Sequence, residues 1–174
     1  MNAFDCDFRC DAVWPTPTEA DRRAVVEFWQ AEGALPDQQS AAQRSAQLLV
    51  VGRDSRERIA GVSTAVPHHV KQLGFRCFYY RTFVGRRSRA RGLKSTQLFW
   101  AILAESYQRL NDRFRQGHDP EVLGLYAEIE SRSIMRRRND LVWNDGGMNA
   151  VYIGRTAQGR HQRVWYFDGA RAPL

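Results

Sequence analysis

The sequence predicts a mixed α/β fold: a mostly antiparallel central sheet, flanked by helices, with at least one parallel crossover. Three observations point there. Short strand signals alternate with helix patterns along the whole chain. Turn clusters at Asp54-Ser55-Arg56-Glu57 and Ala157-Gln158-Gly159-Arg160 fold neighbouring strands back on themselves. Phe75 to Val84 is apolar or aromatic on both faces and runs into a long helix pattern before the next strand, which suits a central strand with a helical crossover.

Taken in order, Cys6 to Trp14 alternates loosely (Phe8, Cys10, Ala12, Trp14) and reads as a strand ended by Pro15 and Pro17. Thr16-Pro17-Thr18-Glu19 has the form of a capping box with Thr16 as N-cap, opening a helix whose apolar stripe is Ala24, Val25, Phe28 and Trp29. Gly33 and Pro36 stop it. Asp37 caps a shorter polar helix through about Gln47, in which Ala41 and Ala42 bring little burial. Leu48 to Gly52 and Ile59 to Val66 form a hairpin, with Pro67 ending the second strand.

From Gly92 the pattern is helical to Arg115. Leu93, Gln97, Trp100, Ala101, Ala104 and Tyr107 follow a spacing of three and four, with Leu98, Ile102 and Leu103 widening the stripe. Val122 to Ile129 is a further strand, Ser131 to Asp140 a helix carrying Arg136, Arg137 and Arg138, and Asn144-Asp145-Gly146-Gly147 a turn. Asn149 to Thr156 and Arg163 to Phe167 close the chain as a hairpin that offers an edge to a second copy.

The 174 residues fit a single domain, 1–174, able to bury a core without staples. No apolar run reaches bilayer length, and Met1 to Asp5 lacks the basic and apolar regions of a secretory signal, so the expectation is cytoplasmic. Three cysteines (Cys6, Cys10, Cys77) make an odd set that fits a reducing compartment. Cys6, Cys10, His68 and His69 are zinc-type residues without ligand spacing, so no metal is expected. The formal charge is +7, and of 26 basic residues all but Lys71 and Lys94 are arginine. That raises phosphate-bearing partners, although arginine is spread through the chain and coding preference would give the same bias.

The residues singled out by chemistry run from Phe78 to Tyr107. A strand breaks at Gly85 into Arg86-Arg87-Ser88-Arg89-Ala90-Arg91-Gly92, which opens directly into the long helix. A helix start offers amides without intrahelical partners and the positive end of the macrodipole, and cationic side chains strengthen the attraction for an anion. A P-loop would need glycine five positions before Gly92 and lysine after it. The chain has Arg87 and Leu93 there.

The order of elements, with Arg89-Ala90-Arg91-Gly92-Leu93-Lys94 between central strand and main helix, resembles the GNAT superfamily of acyl-CoA N-acyltransferases. Their loop has the form Gln/Arg-x-x-Gly-x-Gly/Ala. Arg89 and Gly92 match; Lys94 stands in place of a small residue. The resemblance implies a GNAT-like sheet with a splayed central strand pair and acetyl-CoA or another acyl-CoA as cofactor. It implies Phe83 and Val84 backbone against the pantetheine arm, and Arg89, Ala90, Arg91, Gly92, Lys94 and Ser95 around the phosphates. It further implies an amine acceptor, small molecule or protein, that attacks the thioester directly, with homodimerisation open. Many family members use a strand carboxylate as base and a tyrosine as acid. Glu128 and Glu130 are the nearest carboxylates here and read equally as solvated strand-end charge; Ser133 to Trp143 holds no tyrosine. Tyr80, Tyr126 and Tyr152 have the spacing of core aromatics. The alternatives are a non-catalytic acyl-CoA-binding relative and a basic nucleic-acid-binding domain.

Overall fold

Thr18 starts the first helix in the computed structural model, which describes residues 8–90 and 92–173 and, within them, leaves out the side chains of 93, 94 and 145. Its extended backbone lets the hydroxyl accept from the Asp21 amide at 3.1 Å, and Asp21 in turn accepts from the Thr18 amide at 3.1 Å. This reciprocal box lies two residues beyond the one expected at Thr16: Thr18-x-x-Asp21 meets the same requirement, and Pro17 is buried just outside the helix. The helix, α1 (Glu19–Glu32), ends on Gly33 in the left-handed region.

The described residues group into two compact units, within Met1–Ala65 plus Thr82–Ser106 and within Val66–Arg81 plus Tyr107–Leu174. In the first, β1 (Phe8–Ala12) pairs antiparallel with β2 (Leu48–Asp54), and β2 with β3 (Ile59–Val70). One sheet face packs Val51 and Val62 against Val25 and Trp29 of α1 and Ala41 of α2 (Gln38–Ser45). Ala41 is fully buried, contrary to expectation, because alanine is small enough to let α2 lie close to that core. The other face receives the first half of α4 (Leu93–Arg115). Gly52 and Gly61, paired across β2 and β3, make room for it: a Cβ on either would lie 2.9 Å from Ile102 Cδ1.

The buried face of α4 runs through Leu98, Ile102, Ser106, Leu110 and their neighbours Leu103, Tyr107 and Asn111. Gln97 and Ala104, assigned to the core stripe by spacing, are exposed. Leucine, isoleucine and tyrosine win the core over smaller or polar residues one step round the helix. The side chain of Leu93, also assigned to that stripe, lies outside the described set.

β3 continues through Pro67 to Val70 instead of stopping there. The β2–β3 register reaches only Leu48↔Thr64, so the later part of β3 has an open side on which a residue without N–H is tolerated.

In the second unit, β5 (Val122–Ile129) runs parallel to β4 (Phe75–Val84) through Arg76↔Val122, Phe78↔Leu125 and Tyr79↔Tyr126. Among the described residues that register ends at Tyr79↔Tyr126, while β5 goes on pairing with β8 (His161–Tyr166) as far as Ile129↔His161. Val70, Cys77, Tyr126 and Val164 form a core on one face. On the other, Phe167 meets the rings of Phe78, Tyr107 and Phe114 at centroid distances of 6.4, 5.9 and 5.5 Å. The short α5 (Arg132–Arg137) is capped by Ser131.

Trp143 belongs to a strand that sequence periodicity misses, β6 (Val142–Asp145), which turns at Gly146-Gly147 into β7 (Met148–Arg155). β7 therefore lies between β6 and β8, and the edge that the last hairpin was expected to present belongs to β6. The sheet order is β1-β2-β3-β4-β5-β8-β7-β6: mixed, mostly antiparallel, flanked by helices, as expected. No helix among the described residues is long and apolar enough to cross a membrane.

Candidate functional site

At the end of β4, Phe83 packs its ring edge-on against Phe28 of α1, with centroids 5.8 Å apart. Gly85 follows in extended conformation and donates to the Ala60 carbonyl at 2.9 Å. A Cβ there would sit 3.1 Å from the Phe28 ring and 3.2 Å from Glu32, so any side chain would have to push those two aside by a few tenths of an ångström. The basic segment that follows is a single helical turn, α3 (Arg86–Arg89), and not an open loop. Glu32 makes that turn possible: its carboxylate accepts from the Arg86 amide at 2.8 Å and from Arg86 Nε at 3.3 Å.

The turn settles which groups remain for a ligand. The Arg89 and Ala90 amides donate to the Gly85 and Arg86 carbonyls, each at 2.9 Å, and so serve the turn itself. Arg87, Arg89, Ala90 and Gly92 are exposed, and the Arg89 guanidinium lies 5.4 Å from the centre of the Phe83 ring. Gly92 has φ +59, with nothing within 4 Å of where a Cβ would stand, and its carbonyl accepts from Ser95 N–H at 3.0 Å. Thr82, just before Phe83, has a buried hydroxyl without a partner. Phe83, Val84, Arg89, Ala90, Gly92 and Ser95 thus lie on one continuous stretch of the first unit. Arg91 and the Lys94 side chain lie outside the described set, as does Cys6.

The two carboxylates belong to the second unit, and one arginine joins them. Arg160 Nη1 lies 2.9 Å from Glu130 Oε1 and 3.6 Å from Glu128 Oε2. Glu130 is 71% exposed and Glu128 only 21%, so Glu128 is the better shielded carboxylate and Glu130 a solvated strand-end charge. Glu128 Oε1 also accepts from the Tyr126 hydroxyl at 3.0 Å. The Tyr126 hydroxyl oxygen in turn accepts from Gln162 Nε2 at 2.6 Å, and Gln162 Oε1 from Gln72 Nε2 at 2.6 Å. Burial pushes the Tyr126 phenol far up; the Gln162 hydrogen bond pulls the other way, and Glu128 raises it further. The ring of Tyr126 stacks on His68 at 5.9 Å and meets Tyr79 at 5.4 Å, with the Arg81 guanidinium 3.9 Å over Tyr79.

Sequence reasoning named Glu128, Glu130 and Tyr126 but neither Arg160 nor the two glutamines. Arg160 is a turn residue by local pattern, and Gln162 faces Glu128 through the β5–β8 register, a pairing that local sequence does not encode. Tyr80 and Tyr152 are placed elsewhere: Tyr80 is buried, and Tyr152 meets the His161 ring edge-on at 5.2 Å.

No protein-family model matches the chain, and no curated protein matches it. Similar solved structures include Tetrahymena GCN5, at 12% identity and TM-score 0.49, covering 95% of this chain and 99% of that one. A bacterial toxin shares 11% identity at TM-score 0.49, over 75% of this chain and 73% of its own. A mutant spermidine N-acetyltransferase from Vibrio cholerae shares 11% at TM-score 0.45, over 92% and 91%. N-acetyltransferases of the GCN5-related type recur among the solved structures to which this chain is similar.

Proposed function

We propose that the chain is an acyl-CoA-dependent N-acyltransferase that uses acetyl-CoA and passes the acyl group to an amine by direct attack on the thioester. One observation carries the reading. The parallel β4–β5 register stops at Tyr79↔Tyr126, as a splayed strand pair requires, and β4 runs on into an arginine turn and a left-handed glycine at the head of α4.

The donor set fits such a ligand. Thr82 offers an unpartnered buried hydroxyl beside the Phe83 and Val84 backbone that would face a pantetheine arm. Arg89, Arg91 and Lys94 bring charge for the phosphates, and Ala90, Gly92 and Ser95 keep the approach open. Because the Arg89 and Ala90 amides close the α3 turn, this reading gives the phosphates the Arg89 guanidinium in place of those amides. When bound, acetyl-CoA supplies an acyl carbon activated as a thioester.

The protein's own task is then proton management. As the acceptor nitrogen forms its bond to the acyl carbon and the carbon–sulfur bond breaks, the nitrogen loses a proton to the protein and the departing thiolate takes one from solvent. Glu128 is assigned as proton acceptor. Tyr126, kept protonated by burial, orients the carboxylate through its hydrogen bond and does not itself take the proton. Cys77 is a buried free thiol, and a cytoplasmic location goes with it.

Calorimetry of the full chain with CoA and acetyl-CoA tests the binding half; no heat at high micromolar cofactor sinks it. Glu128→Gln should leave acetyl-CoA affinity unchanged and lower thiol release across an amine panel by about 10²–10⁴-fold. The sharing of Arg160 between Glu128 and Glu130 favours one second reading, a non-catalytic acyl-CoA binder. Saturable cofactor binding without thiol release in wild type would establish that reading.

A further inference from the structure

We propose that Arg132, Arg136 and Arg155, gathered round the His161 ring, form a binding site for a small phosphate-bearing ligand. Local rules bring these residues together. Arg132 and Arg136 are four apart on α5 and so share one side of it, and Arg155 is the register partner of His161 across β7 and β8. The α5 side is fastened to β8 by the His161 amide, which donates to Met135 Sδ at 3.4 Å. Asn139 and Gly159 complete a solvent-open hollow of about 380 Å³, the size of a small-ligand site.

Two observations ask for an anion here. The first is uncompensated charge. Among the described residues none of the three arginines has a carboxylate partner, and no carboxylate lines the hollow. The carboxylates at the nearby end of β5, Glu128 and Glu130, are held by Arg160. Like charges so gathered repel until a counter-charge arrives. The second is an orphaned donor or acceptor: His161 is only 6% exposed, yet its Nδ1 has no hydrogen-bond partner. Leaving such an atom buried and unpaired is unfavourable, and since His161 lines the hollow, a ring turned toward an oxyanion bound there would gain the missing partner.

The His161 imidazole is depressed first by burial and then by the charges of Arg155 and Arg163, as expected of a ring in a positive field. Phosphate suits the set better than carboxylate does, because it offers three acceptor oxygens and up to two charges to three guanidinium forks and a ring. The site shares no residue with the Phe83 to Ser95 stretch assigned to the cofactor, and the inference does not depend on acyl transfer.

The test is titration of inorganic phosphate into the ¹⁵N-labelled full chain, with chloride holding ionic strength constant. Saturable shifts at the Gly159 amide and the His161 ring are expected, with affinity about tenfold weaker in each of Arg136→Gln and Arg155→Gln and unchanged in Arg23→Gln. The His161 titration should move upward as phosphate binds, since the dianion opposes the field of Arg155 on β7 and Arg163 on β8 that depresses it, with Arg132 and Arg136 of α5 on the same hollow and Tyr152 against the ring. No saturation at those signals, or wild-type affinity in both arginine variants, overturns the proposal. Adding CoA separates it from the cofactor reading. If CoA saturates the same signals and both variants weaken CoA alike, these residues belong to the cofactor's outer phosphate and the proposal fails. If phosphate saturates while CoA does not bind, the acyl-transfer reading fails and this one stands. A short RNA that displaces phosphate with a steep salt dependence would make the surface a nucleic-acid contact and remove the small-ligand assignment.

Discussion

Gly124→Ala should be among the most damaging single-methyl additions to the second unit. Gly124 is the register partner of Tyr166 on β8. A Cβ at this position would collide with the Trp165 carbonyl oxygen and lie 3.0 Å from Tyr166 Cα and 3.1 Å from Trp165 C. All three are backbone atoms, so no rotamer change relieves the overlap. β8 cannot retreat either, since Val164 and Trp165 are fully buried and β7 pairs along its far side. Overpacking of this kind is worth about 1–3 kcal/mol, a weakened ladder bond adds about 1 kcal/mol, and the stiffer unfolded chain returns roughly 0.5–1 kcal/mol. The net loss is about 1–3.5 kcal/mol, or roughly 2–14 °C in Tm for a chain of this size. Gly92→Ala is the contrast: φ is +59, but nothing lies within 4 Å, so the loss is left-handed strain alone, about 1 kcal/mol. Urea unfolding and thermal melts of both variants measure the difference. A Gly124→Ala protein within about 0.5 kcal/mol of wild type, or more stable than Gly92→Ala, would refute the packing argument.

Thr18→Ala removes the hydroxyl that accepts from the Asp21 amide, while the residue-18 amide can still donate to the Asp21 carboxylate, and should lower stability by about 1 kcal/mol, whereas Thr16→Ala should be neutral; the reverse order in urea melts would restore the box at Thr16. Stability should fall on the alkaline side. Burial raises Cys77 from 9.0 to about 12, and burial together with the Asp168 carboxylate raises Tyr107 from 10.0 to about 12. Both groups stay protonated in the fold while the unfolded chain releases their protons, so their contribution is complete below about pH 9 and is lost progressively towards pH 12. Tyr107→Phe should flatten part of that slope while losing the 2.9 Å bond to the Tyr166 carbonyl, and denaturation free energies that rise with pH over this range would contradict the assignment.

What was legible in the sequence is what local chemistry decides. Gly33 and Asp37 mark helix boundaries because left-handed backbone and an N-cap oxygen are properties of single residues. Phe75 to Val84 announces a central strand because both of its faces are apolar, and Cys77 and Phe78 are indeed buried on opposite faces. Where the choice depends on a partner far along the chain, the pattern misleads. Gln97 and Leu98 both fit a stripe on α4, and only the paired glycines of β2 and β3 decide that Leu98 and Ile102 face inward. β6 is too short for a periodic signal and exists through its pairing with β7. At the candidate site the carboxylates could be named, but the arginine that binds them arrives through the β5–β8 register.

Arginine content illustrates why composition alone says so little about this protein. The same residue type performs at least four tasks, set by what surrounds it. Arg163 is fully buried and donates to the Asp140, Arg138 and Ala150 carbonyls at 2.6, 3.3 and 3.4 Å, with Trp143 3.7 Å beneath the guanidinium; burial lowers it to about 10. It fixes the segment between α5 and β6 and has no free face for a ligand. Arg86 is tied to Glu32 and shapes the α3 turn, while Arg160 holds two glutamates. Only arginines without a nearby carboxylate keep a field that a phosphate can feel, because an ion pair cancels most of the attraction at a distance. The informative pattern is therefore where the acidic residues are missing. By that criterion Arg132, Arg136 and Arg155 are better placed for an anion than a count of cations would suggest, and Arg86, first in the basic run, is not.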